Sequence, residues 1–211
     1  MISIFIIDDH AIFREGLRQI LSRQPDMRVD GEAGSGGEAL SIISGQSFDV
    51  VLLDISLPDL SGWNILSEIK RVRPSSAVLI LSMHPEDQYA VRMLHAGAAG
   101  YVSKERAADE LLTAIRKVAG GGKYVTEAVA QQLAEEVDAS RPRQPHELLS
   151  NREFQVMCML AAAKSLREIA EELCLSEKTV TTYRSRILEK LNLRNNVDIT
   201  HYVIQNKLHS S

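Results

Sequence analysis

The sequence predicts a doubly wound α/β domain followed by a small all-helical domain. Short apolar runs alternate with amphipathic stretches over the first 120 residues, the pattern of a parallel sheet covered by helices on both sides. Val50–Leu53 and Val78–Leu81 are apolar at every position, as expected for strands that are buried on both faces. The last 65 residues carry no strand pattern, and helix-start signals are dense there.

The first domain, residues 1–121, is predicted to alternate five strands with five helices. The strands are expected at Ile2–Ile7, Met27–Ala33, Val50–Leu53, Val78–Leu81 and Gly100–Val102, and the helices at 10–23, 36–45, 60–73, 86–97 and 106–119. The segment Ser35–Glu38 is a capping box that opens the second helix, because Ser and Glu three positions apart can satisfy its first N–H groups. The alternative for Gly34–Gly37, a dinucleotide-binding glycine motif, lacks the full spacing.

Residues 122–146 are predicted as a linker that contains a helix at Thr126–Val137. Its end, Ser140–Pro145, sets two prolines among charged residues, which favours an extended connection. The second domain, residues 147–211, is predicted to hold helices near 151–162, 166–173, 177–191 and 196–207. The short gap between its second and third helices is typical of a helix-turn-helix.

The composition is close to that of an average soluble protein, with 45% apolar and 25% charged residues. No apolar run approaches the roughly 20 residues that a membrane span needs, and the start shows no basic secretory signal. We therefore predict a cytoplasmic protein without membrane contact. The two cysteines, Cys158 and Cys174, fit neither a disulfide framework nor a zinc cluster.

Polar residues follow the predicted strands, at the edge where a doubly wound sheet carries its functional groups. Asp8 and Asp9 follow the first strand, and Asp54 follows the third. Carboxylates that meet in one crevice repel each other and favour a cation, and oxygen ligands suit Mg²⁺. Ser82 and Lys104, after the fourth and fifth strands, could bind phosphoryl oxygens. A carboxylate beside a metal and a lysine can act as a nucleophile toward phosphorus.

These residues, with the segments Asp54–Gly62 and Gly100–Lys104, resemble the signature of response-regulator receiver domains over roughly the first 120 residues. The resemblance implies a flavodoxin-like five-stranded parallel sheet with a phosphorylated aspartate and a bound Mg²⁺. The implied site residues are the phosphoacceptor Asp54, the metal ligands Asp8, Asp9, Asp54 and the Ser56 carbonyl, the phosphoryl contacts Ser82 and Lys104, and the switch aromatic Tyr101. Asp9 is the expected direct ligand of the acidic pair, and Tyr101 is expected to turn inward with Ser82 on activation.

The predicted helix 177–191 separates an apolar side from a polar one. The polar side combines small hydroxyls with cations, namely Lys178, Thr181, Thr182, Ser185 and Arg186. Hydroxyls can exchange hydrogen bonds with base edges, and cations neutralise phosphates, so this helix suits a DNA major groove. For the helix taken alone, an ordinary solvated face is the alternative.

Four segments support the DNA-binding interpretation, namely Leu149–Glu153, Ser165–Ala170, Leu175–Val180 and Leu188–Leu191. They resemble the LuxR/NarL-type four-helix DNA-binding domain, and the match covers most of residues 148–208. The resemblance implies contacts to bases or nearby phosphates from Lys178, Thr181, Thr182 and Ser185, and contacts to the DNA backbone from Thr179, Arg186 and Lys190. Ala163 stands where these domains often have glycine, so the turn there has to accept a Cβ.

Together the two resemblances imply a response regulator of the NarL/FixJ branch, a transcription regulator controlled by phosphorylation. A sensor histidine kinase or a small acyl phosphate would phosphorylate Asp54, and the added charge would re-shape the face formed by helices 86–97 and 106–119. The implied partners are the kinase, double-stranded DNA, a second copy in an active homodimer, and RNA polymerase as a further candidate. Because such a protein turns over no metabolite, we do not class it as an enzyme.

Two alternatives belong to other classes of function. A phosphotransferase of the haloacid-dehalogenase type also uses an aspartate after a parallel strand, but it needs a second aspartate where this chain has Ser56. A regulator that works without phosphorylation would use the first domain only to dimerise. The complete acidic set argues against this second alternative, and the sequence alone leaves it open.

Overall fold

The computed structural model describes residues 1–83, 86–137, 144–173, 175–206 and 208, apart from the side chains of residues 87, 88, 108, 136 and 137. Cys174 and residues 138–143 of the predicted linker lie outside this part. The chain divides into two compact units, Met1–Ala134 and Glu135–Ser211. Within the described residues, no helix has the length and apolar character needed to cross a membrane.

Among the described residues of the first unit, five parallel strands form one sheet in the order β2-β1-β3-β4-β5. The strands are β1 (Ile2–Ile7), β2 (Met27–Ala33), β3 (Val50–Asp54), β4 (Ala77–Ser82) and β5 (Gly100–Ser103). The helices that connect and follow them are α1 (Ala11–Ser22), α2 (Gly36–Gly45), α3 (Gly62–Val72), α4 (Glu86–His95) and α5 (Ala107–Ala119). The predicted doubly wound sheet is confirmed.

The apolar strands lie inside the sheet, and both of their faces are covered. In β1, Ile4 and Ile6 pack against buried residues of α1 and α5. Phe5 points to the other face of the sheet, where its ring stacks on that of Phe48 with 4.6 Å between the centroids. All five residues of β3 are buried. Burial on both faces explains why these strands are apolar throughout, without the alternation of a one-sided sheet.

The parallel register brings the carboxyl ends of the central strands to one edge. Ile7 pairs with Leu53, and Asp54 pairs with Leu81. The turn after β3 is tight, because a Cβ on Gly62 would lie 2.4 Å from the Cα of Ile55. This edge therefore carries the residues that follow β1, β3, β4 and β5 within a small space.

The chain after α5 packs on the outer edge of β5. The Tyr124 N–H donates to the Ala99 carbonyl at 2.9 Å, and Tyr124 forms a parallel bridge with Gly100. A Cβ on Gly100 would lie 2.7 Å from the backbone carbonyl oxygen of Tyr124, so the close approach requires glycine. The following helix, α6 (Glu127–Val137), buries Val129. The start of the segment predicted as linker therefore belongs to the packed surface of the first unit.

The described residues of the second unit contain no strand, and after a short 3-10 helix at Pro145–Leu148 they form α7 (Asn151–Ala161), α8 (Leu166–Glu172), α9 (Glu177–Leu191) and α10 (Asn196–Gln205). Capping boxes open the first two of these helices, because Ser150 and Glu153 cap α7 reciprocally and Ser165 and Glu168 do the same at α8. The box predicted at Ser35 forms only in part. There Ser35 accepts from the Glu38 N–H, but the Glu38 carboxylate accepts from Gly34 instead of Ser35.

Ala163 ends α7 in the left-handed region, with φ of 61°. Its N–H donates to the Leu160 carbonyl, and the Lys164 N–H donates to the Met159 carbonyl, which is the hydrogen-bond pattern of a Schellman cap. The turn thus accepts the Cβ that the sequence places there, at a steric cost that glycine would not incur.

We expect Ala163→Gly to raise the free energy of unfolding of the second unit by about 1 kcal/mol, because glycine adopts a positive φ without strain. The neighbouring Ala162 has φ of −77° and is the matched control. Ala162→Gly should be neutral or slightly destabilising. Urea unfolding of the full chain, followed by far-UV circular dichroism, compares the two variants, and equal effects would contradict the strain argument.

Candidate functional site

A buried cation and two buried carboxylates meet at the carboxyl edge of the sheet. Asp8 follows β1 and is 1% exposed, and Asp54 ends β3 and is 2% exposed. Lys104 follows β5, and its Nζ lies 2.6 Å from Asp8 Oδ2 and 2.6 Å from Asp54 Oδ2. Three separate segments of the chain therefore converge on one ammonium group.

The charges in this pocket shift each other's protonation. Burial raises the pKa of Asp54, against the opposing effects of the Lys104 ammonium and of the Ser56 N–H, which donates to Asp54 Oδ1 at 3.0 Å. Burial lowers the pKa of Lys104, but Asp54 and Asp8 raise it by more, so the net shift is upward and the ammonium stays charged. One cation thus serves two buried acids, and Asp9 lies beside them.

The pocket fits a divalent cation. Ligand atoms of Asp8, Asp9, His10 and Asp54 lie within 4.8 Å of one another. Asp8 Oδ2 is buried and accepts no hydrogen bond, although it makes an ion pair with Lys104. The Asp9 side chain is 31% exposed, which leaves one side of the group open to water. Carboxylate oxygens with an open side suit Mg²⁺, which keeps several of its waters.

The other predicted residues of this domain occupy different depths. Ser82 ends β4 opposite Ser103 and is fully buried at the same edge as Asp54. Tyr101 pairs with Ile80, deeper in the sheet, and is already buried at 1% exposure. Ser56 is exposed at the start of the loop after β3. The roles of Ser82, Tyr101 and the Ser56 carbonyl stay predictions.

Sequence reasoning missed the contribution of the first turn of α1. The His10 N–H donates to Asp8 Oδ1 at 2.8 Å, and its ring Nδ1 lies 2.9 Å from Asp9 Oδ1. Phe13 places its ring 4.7 Å from the Lys104 ammonium, a cation–π contact. The available signal was proximity, since His10 directly follows the acidic pair and Phe13 lies one turn further on.

An apolar groove of about 590 Å³ opens beside this pocket, between α1 and the start of α5. Phe13, Leu17 and Met83 contribute apolar walls, and Lys104 lines the groove as well as the acidic pocket. Ile12 is 90% exposed at its rim.

In the second unit, α9 presents the predicted polar face. Lys178, Thr181, Thr182, Ser185 and Arg186 are exposed, whereas Val180, Ile187 and Leu191 are buried. The three hydroxyls each donate to a backbone carbonyl one turn earlier, at 2.8 to 3.1 Å. Their oxygens keep lone pairs that can accept from a ligand, and the exposed cations stand on the same surface.

The Lys190 ammonium makes contacts within the second unit. Its Nζ lies 2.7 Å from Glu153 Oε2 and 3.3 Å from the Leu148 carbonyl. Glu153 is only 3% exposed, so this ammonium neutralises a buried acid. Thr179, also predicted to contact the DNA backbone, shares a hydrogen bond with Ser176 at the start of α9. The DNA contacts assigned to Lys190 and Thr179 stay predictions.

Comparisons with known proteins cover both units. The response regulator receiver domain matches residues 4–116, and the luxR family of bacterial regulatory proteins matches residues 147–203. The response regulator UvrY of Escherichia coli (strain K12) is 37% identical over 209 residues, which are 99% of this chain and 96% of UvrY. The transcriptional regulatory protein UhpA of Salmonella typhimurium (strain LT2) is 41% identical over 201 residues, 95% of this chain and 97% of UhpA.

A solved structure of the two-component response regulator RcsB in complex with DNA also matches the chain. It superposes with a TM-score of 0.59 at 26% identity, and the match covers 96% of this chain and 98% of RcsB.

We expect Lys190→Gln to lower the free energy of unfolding of the second unit by roughly 2 kcal/mol. Breaking a buried ion pair costs about 3–5 kcal/mol, and the partial exposure of Lys190 reduces that cost. Burial raises the pKa of Glu153, but Lys190 and Ser150 lower it by more, so its folded pKa lies below the ordinary value. The carboxylate therefore stabilises the fold at neutral pH, and this contribution is lost as the pH falls through the lowered pKa.

The control is Lys178→Gln, on the exposed face of the same helix, which should change stability by no more than about 0.5 kcal/mol. Urea unfolding at pH 7 and pH 4 measures both variants. A destabilisation by Lys190→Gln that is unchanged at the lower pH would argue against the ion pair as its cause.

Proposed function

Since the chain belongs to the NarL/FixJ family of two-component response regulators, we propose that Asp54 is its phosphoacceptor. Members of this family are DNA-binding transcription regulators that phosphorylation controls. The observation that carries the proposal is the position of Asp54 at the carboxyl edge of the sheet, with its Oδ2 2.6 Å from the Lys104 ammonium. A carboxylate here is held in place and has a cation beside it to neutralise incoming phosphoryl oxygens.

The proposed reaction is a displacement at phosphorus. A carboxylate oxygen of Asp54 forms a bond to the phosphorus of an acyl phosphate or a phosphohistidine, and the bond from phosphorus to the leaving group breaks with its electron pair. Lys104 and the Ser82 hydroxyl bind phosphoryl oxygens. Asp8, Asp9, Asp54 and the Ser56 carbonyl would hold Mg²⁺, which, when bound, supplies positive charge to the phosphoryl oxygens. Beyond this single transfer the chain turns over no metabolite.

A sensor histidine kinase is the proposed phosphoryl donor, and the apolar groove beside the pocket is its proposed contact surface. The groove shares Lys104 with the acidic pocket, so a partner seated there would bring its phosphohistidine close to the pocket that holds Asp54. The exposed Ile12 and Met83 offer apolar area for a helical partner. Because both of these proposed partners, the kinase and DNA, are reached from the cytoplasm, we propose that the protein works there.

The proposed output begins with the charge added to Asp54. Ser82 and Tyr101, on β4 and β5, respond to the phosphoryl group and re-shape the face of α4 and α5. This change favours a homodimer and DNA binding by the second unit, and RNA polymerase is a further proposed partner.

The proposed DNA contacts lie on α9. The side chains that would face bases or nearby phosphates are Lys178, Thr181, Thr182 and Ser185. Contacts to the DNA backbone would come from Thr179, Arg186 and Lys190. Support comes from the exposed hydroxyl-and-cation face and from the related RcsB, whose structure was solved with DNA.

We expect one added phosphoryl group on the full chain after incubation with acetyl phosphate and Mg²⁺, measured by intact-protein mass. The adduct should be lost on mild base treatment, because an acyl phosphate hydrolyses there. Asp54→Asn is the control and should gain no mass. An adduct on that variant would place the chemistry elsewhere, and a parallel sizing experiment tests whether the adduct shifts the protein toward a dimer.

We expect Lys178→Gln to weaken binding to a random-sequence 30-base-pair duplex and to reduce the slope of log K against log salt by about one, because one phosphate contact is lost. Fluorescence anisotropy across a salt series measures both quantities. Arg18→Gln removes one charge from α1 and should leave the slope unchanged. Equal slopes for Lys178→Gln and the wild type would remove Lys178 from the interface.

A further inference from the structure

Asp59 ties the loop after β3 to the first turn of α2. Its Oδ1 accepts from the Gly36 N–H and its Oδ2 accepts from the Gly37 N–H, each at 2.8 Å. One carboxylate thus satisfies two N–H groups that a helix start leaves without intrahelical partners. Asp59 belongs to the segment Asp54–Gly62, but the sequence does not show its partners because they lie on a different element.

The loop and the helix also touch through their backbones and side chains. A Cβ on Gly36 would lie 2.8 Å from the Leu60 Cβ and 2.7 Å from the Ile65 Cδ1, so the contact is closed to any larger residue. Partial desolvation raises the pKa of Asp59, but the N–H groups of Gly36 and Gly37 lower it by more. The carboxylate is therefore held in its charged form, which the positive end of the α2 dipole favours.

The same loop carries the Ser56 carbonyl, the proposed metal ligand. On the near side, the Ser56 N–H is fixed on Asp54 Oδ1 at 3.0 Å. On the far side, the Gly62 N–H donates to the Ile55 carbonyl at 3.3 Å and closes the loop on itself. Asp59 lies between these points and supplies the connection from the loop to a different helix.

We infer that Asp59 is a positioning residue for the metal site, because its two hydrogen bonds to α2 hold the loop that carries the Ser56 carbonyl next to Asp54. The inference rests on the proposed function of the acidic pocket. Asp59 acts through the loop and touches neither the metal nor the phosphoryl group. Groups that orient metal ligands in this way commonly change metal affinity by about tenfold or more when they are removed.

The test is the Mg²⁺ dependence of Asp54 phosphorylation by acetyl phosphate in the full chain. Asp59→Ala should raise the half-saturating Mg²⁺ concentration by about tenfold, while the rate at saturating Mg²⁺ stays near that of the wild type. Asp59→Asn, which keeps one acceptor oxygen, should give a smaller shift in the same direction. Since Asp59 is exposed, both variants should fold, and circular dichroism checks this.

Glu38→Ala is the matched control. The Glu38 carboxylate also caps the start of α2, through the Gly34 N–H at 2.9 Å, but it makes no hydrogen bond to the loop after β3. It should leave the half-saturating Mg²⁺ concentration unchanged. An equal shift in Glu38→Ala would mean that Asp59 acts only by capping α2, and would overturn the inference.

A wild-type half-saturation in Asp59→Ala would overturn the inference, as would a lower maximal rate without any shift. A wild-type protein that gains no phosphoryl group would instead contradict the proposed function. In that case calorimetric titration of wild type and Asp59→Ala with Mg²⁺ alone still decides the inference. Equal dissociation constants would then reject it, and weaker binding by the variant would support it.

Discussion

The Lys104 ammonium between Asp8 and Asp54 is the interaction on which the receiver unit depends. Two carboxylates that are almost fully buried at one sheet edge would be costly without a cation, because burial removes their hydration. The ammonium lies 2.6 Å from an oxygen of each, and Phe13 covers it from the side of α1. Since one positive charge serves two buried acids, the pocket keeps a surplus of negative charge that a divalent ion can balance.

The second unit uses a related arrangement for a structural purpose. Glu153 is buried at the start of α7, where it caps the helix together with Ser150, and the Lys190 ammonium from α9 neutralises it. The ion pair therefore links the start of the first helix of the unit to the end of the helix with the candidate DNA-binding face. A carboxylate that caps one element and binds a cation from another fixes both elements at once.

Two glycines of the receiver unit allow neighbouring segments to approach closely. Gly36 lets α2 lie against the loop after β3, and Asp59 then bonds across that contact. At the opposite end of the sheet, Gly100 lets the chain at Tyr124 pair with the edge of β5. These contacts join the loop after β3 to α2, and β5 to the segment that leads into α6.

The sequence by itself determined the element order, the nature of each strand and helix, and the candidate residues at the strand ends. Apolar periodicity and capping residues are local signals, and the carboxyl ends of parallel strands must meet at one edge, so Asp8, Asp54 and Lys104 could be grouped without coordinates. Only the tertiary structure decided which polar groups become partners. Lys190 pairs with Glu153 and Asp59 with α2, because those contacts depend on distances between segments that periodicity does not encode.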